Sequence, residues 1–286
     1  MQAAAEPFDQ RFVAPSSGWV WRAFGALLNC TSLHRLRRAV FSKFPFPKLR
    51  SDVHDVAYLT WLVDPGRIAH LVPRGLQVWQ RNGVTPLTVL SYRHGHFGLE
   101  ALGPLRRFCG SPLQSNWRLY LQDDEGRPAG VLFFGNIMDS ILYVAGARLA
   151  SDVLPTHLSA RFRHQKVEDR YETEIDGGKG SAPDFKCTLI QDTGSSIPAS
   201  FIDIFGDWRE SVRWLSLQDL AVASVAGEKR LAAAGISLPI EIDEVVPTMP
   251  LRIESRSLDP VVRDAPVFSF IVPRVVFRVL WERMLP

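Results

Sequence analysis

The sequence predicts an α+β fold in which antiparallel strands dominate. From about residue 51 onward, short runs rich in β-branched and aromatic residues follow one another at close intervals, and turn signals separate them. This close succession is typical of antiparallel meanders. The longer helical patterns fall in residues 1–50 and 199–235. We therefore expect a sheet with helices at its flank.

Residues 1–50 are predicted to form a helical extension that ends in a proline-rich linker. Trp19, Trp21 and Phe24 recur at near-helical spacing, and the basic run 34–38 follows them. The prolines in Phe44-Pro45-Phe46-Pro47 favour an extended linker. We expect the extension to pack on its own domain; the alternative is that it binds an anionic membrane surface or a partner.

The main domain is predicted to span residues 51–286. Residues 199–235 are predicted to form a helical insert, because Phe201 and Trp208 begin a segment that continues into an Ala- and Leu-rich stretch. Asp123–Pro128 has the composition of a hairpin loop. Strands are expected near residues 58–63, 87–92, 117–122, 131–134, 142–147, 158–166, 170–175, 186–191, 238–242, 251–254, 267–272 and 275–281.

Composition excludes several classes of protein. The 286 residues are 46% hydrophobic and 22% charged, as in ordinary globular proteins, and a net charge of +3 is too small to indicate nucleic-acid binding. Three cysteines without a CxxC pair indicate free thiols in a reducing compartment. Residues 1–7 lack the features of a secretory signal, and no apolar stretch is long enough to span a membrane. We expect a cytoplasmic protein.

Common catalytic and cofactor motifs are absent from the sequence. The one metal candidate is the His94-Gly95-His96 segment, which we interpret as a loop with exposed histidines rather than a metal site. There is no Gly-x-Ser-x-Gly nucleophile motif and no glycine-rich dinucleotide or phosphate loop. We therefore expect neither a metal nor a cofactor.

A polar cluster in a strand-like segment is the best candidate for a binding site. Asn116, Arg118 and Tyr120 alternate, so on one strand they share a face. A planar cation between an amide and a phenol suits a carbonyl or carboxylate ligand. The alternatives are a solvated face, or a structural acid that pairs with Arg118.

The region from about Val53 to Trp281 resembles the YqjF-like family known as domain of unknown function 2071, a branch of the acetoacetate decarboxylase-like superfamily. The first 50 residues lie outside the resemblance. The motifs that carry it are Val63-Asp64-Pro65, Leu71-Val72-Pro73-Arg74-Gly75-Leu76, Asn116-x-Arg118-x-Tyr120, Gly130-Val131-Leu132-Phe133-Phe134, Ala147-Arg148 and Leu154-Pro155.

The resemblance implies a curled, cone-like or partial-barrel sheet around a small-molecule cavity. Decarboxylases of this superfamily form an imine between a lysine and a β-keto acid. Thr156 stands where the resemblance places that lysine, and Gln114 replaces a glutamate at the head of the polar segment. Because a hydroxyl cannot form an imine, we do not expect decarboxylase activity.

We predict a protein that binds a small organic acid or carbonyl compound in this cavity. One alternative is an enzyme on a keto or hydroxy acid that uses His157 as its base. A second is a partner- or membrane-surface-binding protein that acts through residues 1–50. The sequence leaves the oligomeric state open. The predicted ligand-binding residues are Gln114, Asn116, Arg118, Tyr120, Arg148 and Thr156, and the candidate catalytic residue is His157.

Overall fold

A computed structural model describes residues 10–285 of the chain. The prediction made on residues 1–7 lies outside this range. The helices are α1 (Trp19–Leu28), α2 (Thr31–Phe41), α3 (Pro65–Ile68), α4 (Ile141–Ala150), α5 (Ala199–Phe205), α6 (Trp208–Ser216) and α7 (Asp259–Val262), with 3-10 helices at Ala69–Leu71, Glu100–Phe108 and Ile242–Glu244.

Fourteen strands join into one sheet. They are β1 (Leu49–Val63), β2 (Gln77–Val78), β3 (Thr85–Arg93), β4 (Gly98–Leu99), β5 (Leu113–Gln122), β6 (Pro128–Met138), β7 (His157–Leu158), β8 (Arg161–Val167), β9 (Arg170–Asp176), β10 (Phe185–Gln191), β11 (Leu220–Ser224), β12 (Leu231–Ser237), β13 (Val246–Glu254) and β14 (Val267–Met284).

Seven of these strands close into a barrel. The order β1-β3-β5-β6-β11-β12-β14 returns to its start, because β14 also pairs with β1 along most of its length. The pairing of β6 with β11 is parallel, and the other neighbours in the ring are antiparallel. From β14 the sheet continues outside the barrel through β13, β10, β9 and β8. The mostly antiparallel, curled sheet with flanking helices is confirmed.

The alternation of side chains along the strands builds two hydrophobic layers. Inside the barrel, Tyr58 of β1 and Phe270 of β14 stack with ring centroids 4.5 Å apart, and α6 adds Leu215 to the same cluster. On the outer face, Trp117 of β5 packs edge-on against Phe185 of β10 at 5.8 Å. The barrel is therefore buried on both sides where β9 and β10 cover it.

The segment predicted as a strand at residues 142–147 is helix α4 instead. Its apolar run is compatible with either structure, but Val144 and Arg148, four residues apart, are both buried on one helix face. The last turn of the helix contains Ala147, Arg148 and Leu149, which are good helix formers. The four-residue spacing of the buried side chains indicates the helix correctly, whereas the β-branched content of the run does not.

The predicted helical insert at residues 199–235 is helical only in its first half. Helices α5 and α6 end at Ser216, and the Ala-rich part forms the hairpin of β11 and β12. Ala221, Ala223, Ala232 and Ala234 belong to the cluster inside the barrel, so burial overrides their helix propensity.

Two strand predictions near the C-terminus also need correction. Residues 238–242 are not a strand; they contain Pro239, and the next strand begins at Val246. The two runs predicted at 267–272 and 275–281 form the single strand β14, which continues through Pro273.

The N-terminal residues form the two helices α1 and α2, and both contact α4. On α2, Arg37 and Arg38 bind Asp152 at 2.5 and 2.8 Å, and Arg38 also binds Glu228 at 2.5 Å. These contacts agree with the predicted packing of the extension on its own domain. The division of the chain at residue 50 stays a prediction.

Candidate functional site

Strand β5 carries the polar cluster identified in the sequence. Gln114, Asn116, Arg118 and Tyr120 alternate with the outward-facing Trp117 and its neighbours, and all four are buried. The alternative of a solvated face is therefore wrong. The first two side chains join an amide network, whereas the last two contact helix α6.

The amide network is centred on Gln114. Its Nε2 donates to Asn116 Oδ1 at 2.9 Å and to Asn136 Oδ1 at 2.8 Å. Asn116 Nδ2 donates to the Tyr92 hydroxyl at 2.9 Å. Gln114 Oε1 lies 2.5 Å from His94 Nε2. Every polar atom of the Gln114 side chain thus has a partner inside the barrel.

His94 corrects the prediction of exposed loop histidines. It is fully buried, stacks on Phe97 and lies 2.8 Å from Ser51 Oγ through Nδ1. Because Gln114 Nε2 already donates two hydrogen bonds, its Oε1 accepts, and the proton of His94 is assigned to Nε2. Burial lowers the pKa of His94 to about 4, so the imidazole is neutral at pH 7. His96, in contrast, is exposed.

Thr156, the position where the resemblance places a lysine, closes the other end of the network. Its Oγ1 accepts from Asn136 Nδ2 at 2.7 Å and donates to the Leu154 carbonyl at 3.0 Å. The side chain is completely buried. The network therefore runs without a break from Ser51 through His94 and Gln114 to Thr156.

Arg118 and Tyr120 hold helix α6 against the barrel. Arg118 Nη2 and the Tyr120 hydroxyl both donate to the Leu215 carbonyl, at 2.6 and 2.8 Å. The guanidinium also lies over the Tyr58 ring at 5.4 Å. Within residues 10–285, no carboxylate forms an ion pair with Arg118, so the alternative of a structural acid is wrong. Burial raises the pKa of Tyr58 to about 12.

Arg148 and His157 lie against the N-terminal segment. Arg148 Nη2 donates to the Gln10 carbonyl at 2.8 Å, and its Nη1 donates to the Thr156 carbonyl at 3.2 Å. His157 Nδ1 lies 2.6 Å from Ser181 Oγ. Burial and the charge of Arg148 lower the pKa of His157 to about 3. His157 is therefore a buried neutral imidazole.

A cavity of about 410 Å³, called the first cavity below, opens between α4 and the barrel strands. Small residues create it: Gly146 and Ala150 on α4 face Ala221 of β11 and Ala234 of β12. Its lining residues are Phe46, Pro47, Leu49, Phe97, Gly98, Leu99, Phe133, Met138, Leu142, Tyr143, Gly146, Ala147, Ala150, Ser151, Val153, Leu154, Ala221, Ala234, Ile236, Phe277, Val279 and Glu282.

The lining of the first cavity is apolar apart from the hydroxyl residues Tyr143 and Ser151 and one acid. Glu282, near the end of β14, is the only charged residue among the described lining residues. Its Oε2 accepts from Ser151 Oγ and its Oε1 from the Asp152 backbone N–H, both at 2.6 Å. Burial is the main cause that raises the pKa of Glu282. The carboxyl is thus oriented by two donors.

The described lining of the first cavity includes none of the residues predicted from the sequence as ligand contacts. The amide network lies next to the residues that line the cavity. Gln114 pairs with Met138 across the sheet, and Thr156 binds the Leu154 carbonyl. Met138 and Leu154 themselves line the cavity. That the predicted residues contact a ligand stays a prediction. The sequence analysis expected a small-molecule cavity from the resemblance but missed its position and lining, for which the only signal was the small residues of α4 and the Ala-rich hairpin.

Two further properties concern the part of the chain that the structure describes. Over residues 10–285, no three His, Cys, Asp or Glu side chains come together as a set of metal ligands. Within the same range, the helices are too short or too polar to cross a membrane. Cys187 is buried, and burial raises its pKa to about 12, as for an inert thiol.

Comparison with known protein families identifies the family of the chain. Residues 50–203, more than half of the chain, match the sequence model of the DUF2071 family, described as an uncharacterized conserved protein. The chain belongs to this family. The resemblance deduced from the motifs is confirmed, and the matched range includes the β5 network and α4. No curated protein shows a significant match to the sequence.

Solved structures of the acetoacetate decarboxylase-like superfamily share the fold. An acetoacetate decarboxylase-like enzyme from Sphingomonas wittichii is 13% identical, with a TM-score of 0.57 over 84% of this chain and 94% of that chain. The acetoacetate decarboxylase of Legionella pneumophila is 11% identical, with a TM-score of 0.56 over 85% and 88%. The enduracididine biosynthesis enzyme MppR, in complex with pyruvate, is 13% identical, with a TM-score of 0.56 over 85% and 91%.

Proposed function

We propose that this DUF2071 protein binds a small, largely apolar molecule in the first cavity. The observation that supports the proposal is a preformed space of about 410 Å³ with a mostly apolar lining and one charged group, the half-buried carboxyl of Glu282, which two donors orient. Ligand pockets in proteins are typically of order 300–1,000 Å³ and combine apolar walls with a few placed polar groups. The proposal thus needs no rearrangement of the barrel.

The chemistry of the ligand follows from the walls. The ligand predicted from the sequence carries a carbonyl or carboxylate group. Because the lining is mostly apolar, we expect most of the ligand's surface to be hydrocarbon. The structural neighbour MppR has been crystallised with pyruvate, a keto acid. A ligand for the present cavity has an apolar body larger than that of pyruvate.

Catalysis is not part of this proposal. The Thr156 hydroxyl accepts from Asn136 and donates to the Leu154 carbonyl. A hydroxyl also cannot form an imine. His157 lies outside the described lining of the cavity and contacts Ser181, between β9 and β10. The contacts of His157 within residues 10–285 do not favour a role as a base. The charge contacts of α2 with its own domain support packing over membrane or partner binding for residues 1–50.

The test is titration with N-phenylnaphthylamine, a neutral apolar dye whose fluorescence rises in apolar surroundings. Gly146 lines the cavity, and a Cβ added there meets no atom within 4 Å, so Gly146→Leu places a side chain in the open space. We expect this variant to bind the dye at least about tenfold more weakly, because the occupied volume excludes it.

The matched control is Ile141→Phe, which adds bulk to the exposed first turn of the same helix outside the cavity. It should bind the dye as the wild type does. Equal dye binding by the wild type and Gly146→Leu, or no binding by the wild type, would contradict the proposed function.

A further inference from the structure

A second cavity adjoins the first and differs from it in charge. It has a volume of about 430 Å³, and Phe46, Pro47, Ala150 and Glu282 line both spaces. Beyond these shared residues, the first cavity has no charged lining residue among those described, whereas the second combines apolar residues with arginines from α2 and β14. The linker residues Phe46 and Pro47 thus lie between a mostly apolar space and one that contains arginines.

The arginines around the second cavity differ in their ion pairs. Arg37, Arg38 and Arg283 line it, and its acids are Asp152 and Glu282. Asp152 accepts from both Arg37 and Arg38, and Arg38 also binds Glu228. Arg283 forms no ion pair with a carboxylate of residues 10–285.

Two of the arginines have capacity for a further acceptor. Arg37 uses Nη1 for the Ala150 carbonyl and Nη2 for Asp152, but its buried Nε has no hydrogen-bond partner among the described residues. Arg283 lies over the Trp281 ring at 4.9 Å and forms no ion pair with a carboxylate of residues 10–285. A buried donor without a partner costs roughly 1–3 kcal/mol, so an acceptor placed there is favoured.

We propose that the two cavities form one site for an anionic amphiphile, a carboxylic acid with a hydrocarbon chain. The chain occupies the first cavity, and the carboxylate lies in the second, between Arg37 and Arg283. The inference rests on the proposed function, since it places the hydrocarbon in the same space. It assigns carboxylate recognition to Arg37 and Arg283 instead of to Arg118, whose guanidinium is held by α6.

The test compares three ten-carbon probes that differ only in the head group: decanoate, decanol and decylamine. Each is titrated against the protein loaded with N-phenylnaphthylamine. We expect decanoate to displace the dye at about tenfold lower concentration than decanol, as a charge-assisted hydrogen bond allows, and decylamine to be the weakest.

Variants connect that preference to the arginines. Arg37→Met and Arg283→Met should each lower the preference for decanoate over decanol several-fold, with each displacement compared to the dye affinity of the same variant. Arg35→Met is the matched control, because it removes the same charge from an exposed side chain of α2 outside the cavity. Arg283 is exposed and makes few contacts, so its variant gives an answer even if Arg37→Met fails to fold.

Equal displacement of bound dye by decanoate and decanol would overturn the carboxylate assignment and leave the proposed function intact. An unchanged preference in Arg283→Met, together with an unchanged preference in any folded Arg37→Met, would also overturn it. Failure of the wild type to bind the dye would overturn both proposals.

Discussion

Two parts of the barrel interior differ sharply in how they use their side chains. In the β5 network, the side chain of Gln114 alone makes three hydrogen bonds, so its polar groups are satisfied by the protein itself. Beside α4, the first cavity offers apolar surface and a single oriented carboxyl. The polar residues that stand out in the sequence are engaged with one another, while inconspicuous small residues create the space.

This difference has an energetic reason. A buried amide without a partner costs more than a hydrogen bond contributes, so an interior with several amides must satisfy all of them. An apolar cavity has no such requirement, and it persists because glycine and alanine on α4, β11 and β12 leave it unfilled. The following predictions separate the two regions by stability and binding.

The largest effect is expected for Gln114→Leu. The change removes the partner of three buried atoms, which are His94 Nε2, Asn116 Oδ1 and Asn136 Oδ1. We expect the free energy of unfolding, from urea titration, to fall by about 4 kcal/mol. Gln122→Leu on the same strand is the control, because that amide makes one exposed hydrogen bond and should cost less than about 0.5 kcal/mol. Similar losses in both variants would contradict a special role for the network.

The pH dependence of stability should report the neutral state of His94. The pKa of His94 is about 4 in the folded protein and 6.5 for the free side chain. Between these values the unfolded state binds more protons, so stability falls as the pH falls from about 6.5 to about 4, by about 3 kcal/mol for this group.

His94→Asn should remove that part of the slope, while the buried His157 and His164 keep theirs. The measurement is urea unfolding of the two proteins at a series of pH values. Identical slopes for the wild type and the variant would show that His94 does not titrate as its burial requires.

Thr156→Val should cost stability without affecting binding. The valine has nearly the same shape but cannot accept from Asn136 Nδ2, so the free energy of unfolding should fall by about 1–2 kcal/mol. Thr156→Ser keeps the hydroxyl and is the control for that loss. If Thr156→Val stayed folded and lost affinity for N-phenylnaphthylamine, Thr156 would belong to the ligand site and not to its support.

Gly146→Ala should give the smallest effect, in the opposite direction. Alanine is a better helix former than glycine by about 1 kcal/mol, and the added methyl meets no atom within 4 Å. We expect a small rise in the thermal unfolding midpoint, measured by circular dichroism. A fall would show that the space beside α4 is not open.

The sequence allowed prediction of those features that depend on local patterns. Alternation along residues 116–120 correctly predicted a strand face, and the ordered motifs correctly predicted the superfamily fold. Helix α4 was missed because its apolar run fits a strand as well as a helix. The Ala-rich hairpin was missed because only the narrow barrel interior explains alanine in strands β11 and β12.

The arrangement of the site depends on contacts between distant parts of the chain. The Leu215 carbonyl that engages Arg118 lies 97 residues away, and the Gln10 carbonyl that engages Arg148 lies 138 residues away. No periodicity relates such positions. The sequence therefore indicated which residues are polar and share a strand. It did not indicate that a distant part of the chain already forms hydrogen bonds with them.

The most direct test of the account is a crystal structure of the protein with N-phenylnaphthylamine bound. We predict density for the dye between α4 and β14, against Gly146 and Val279, with the amide network around Gln114 unchanged. Density beside Asn116 and Arg118, with the Leu215 carbonyl of helix α6 displaced from Arg118, would contradict the account and place the ligand at the polar face of β5.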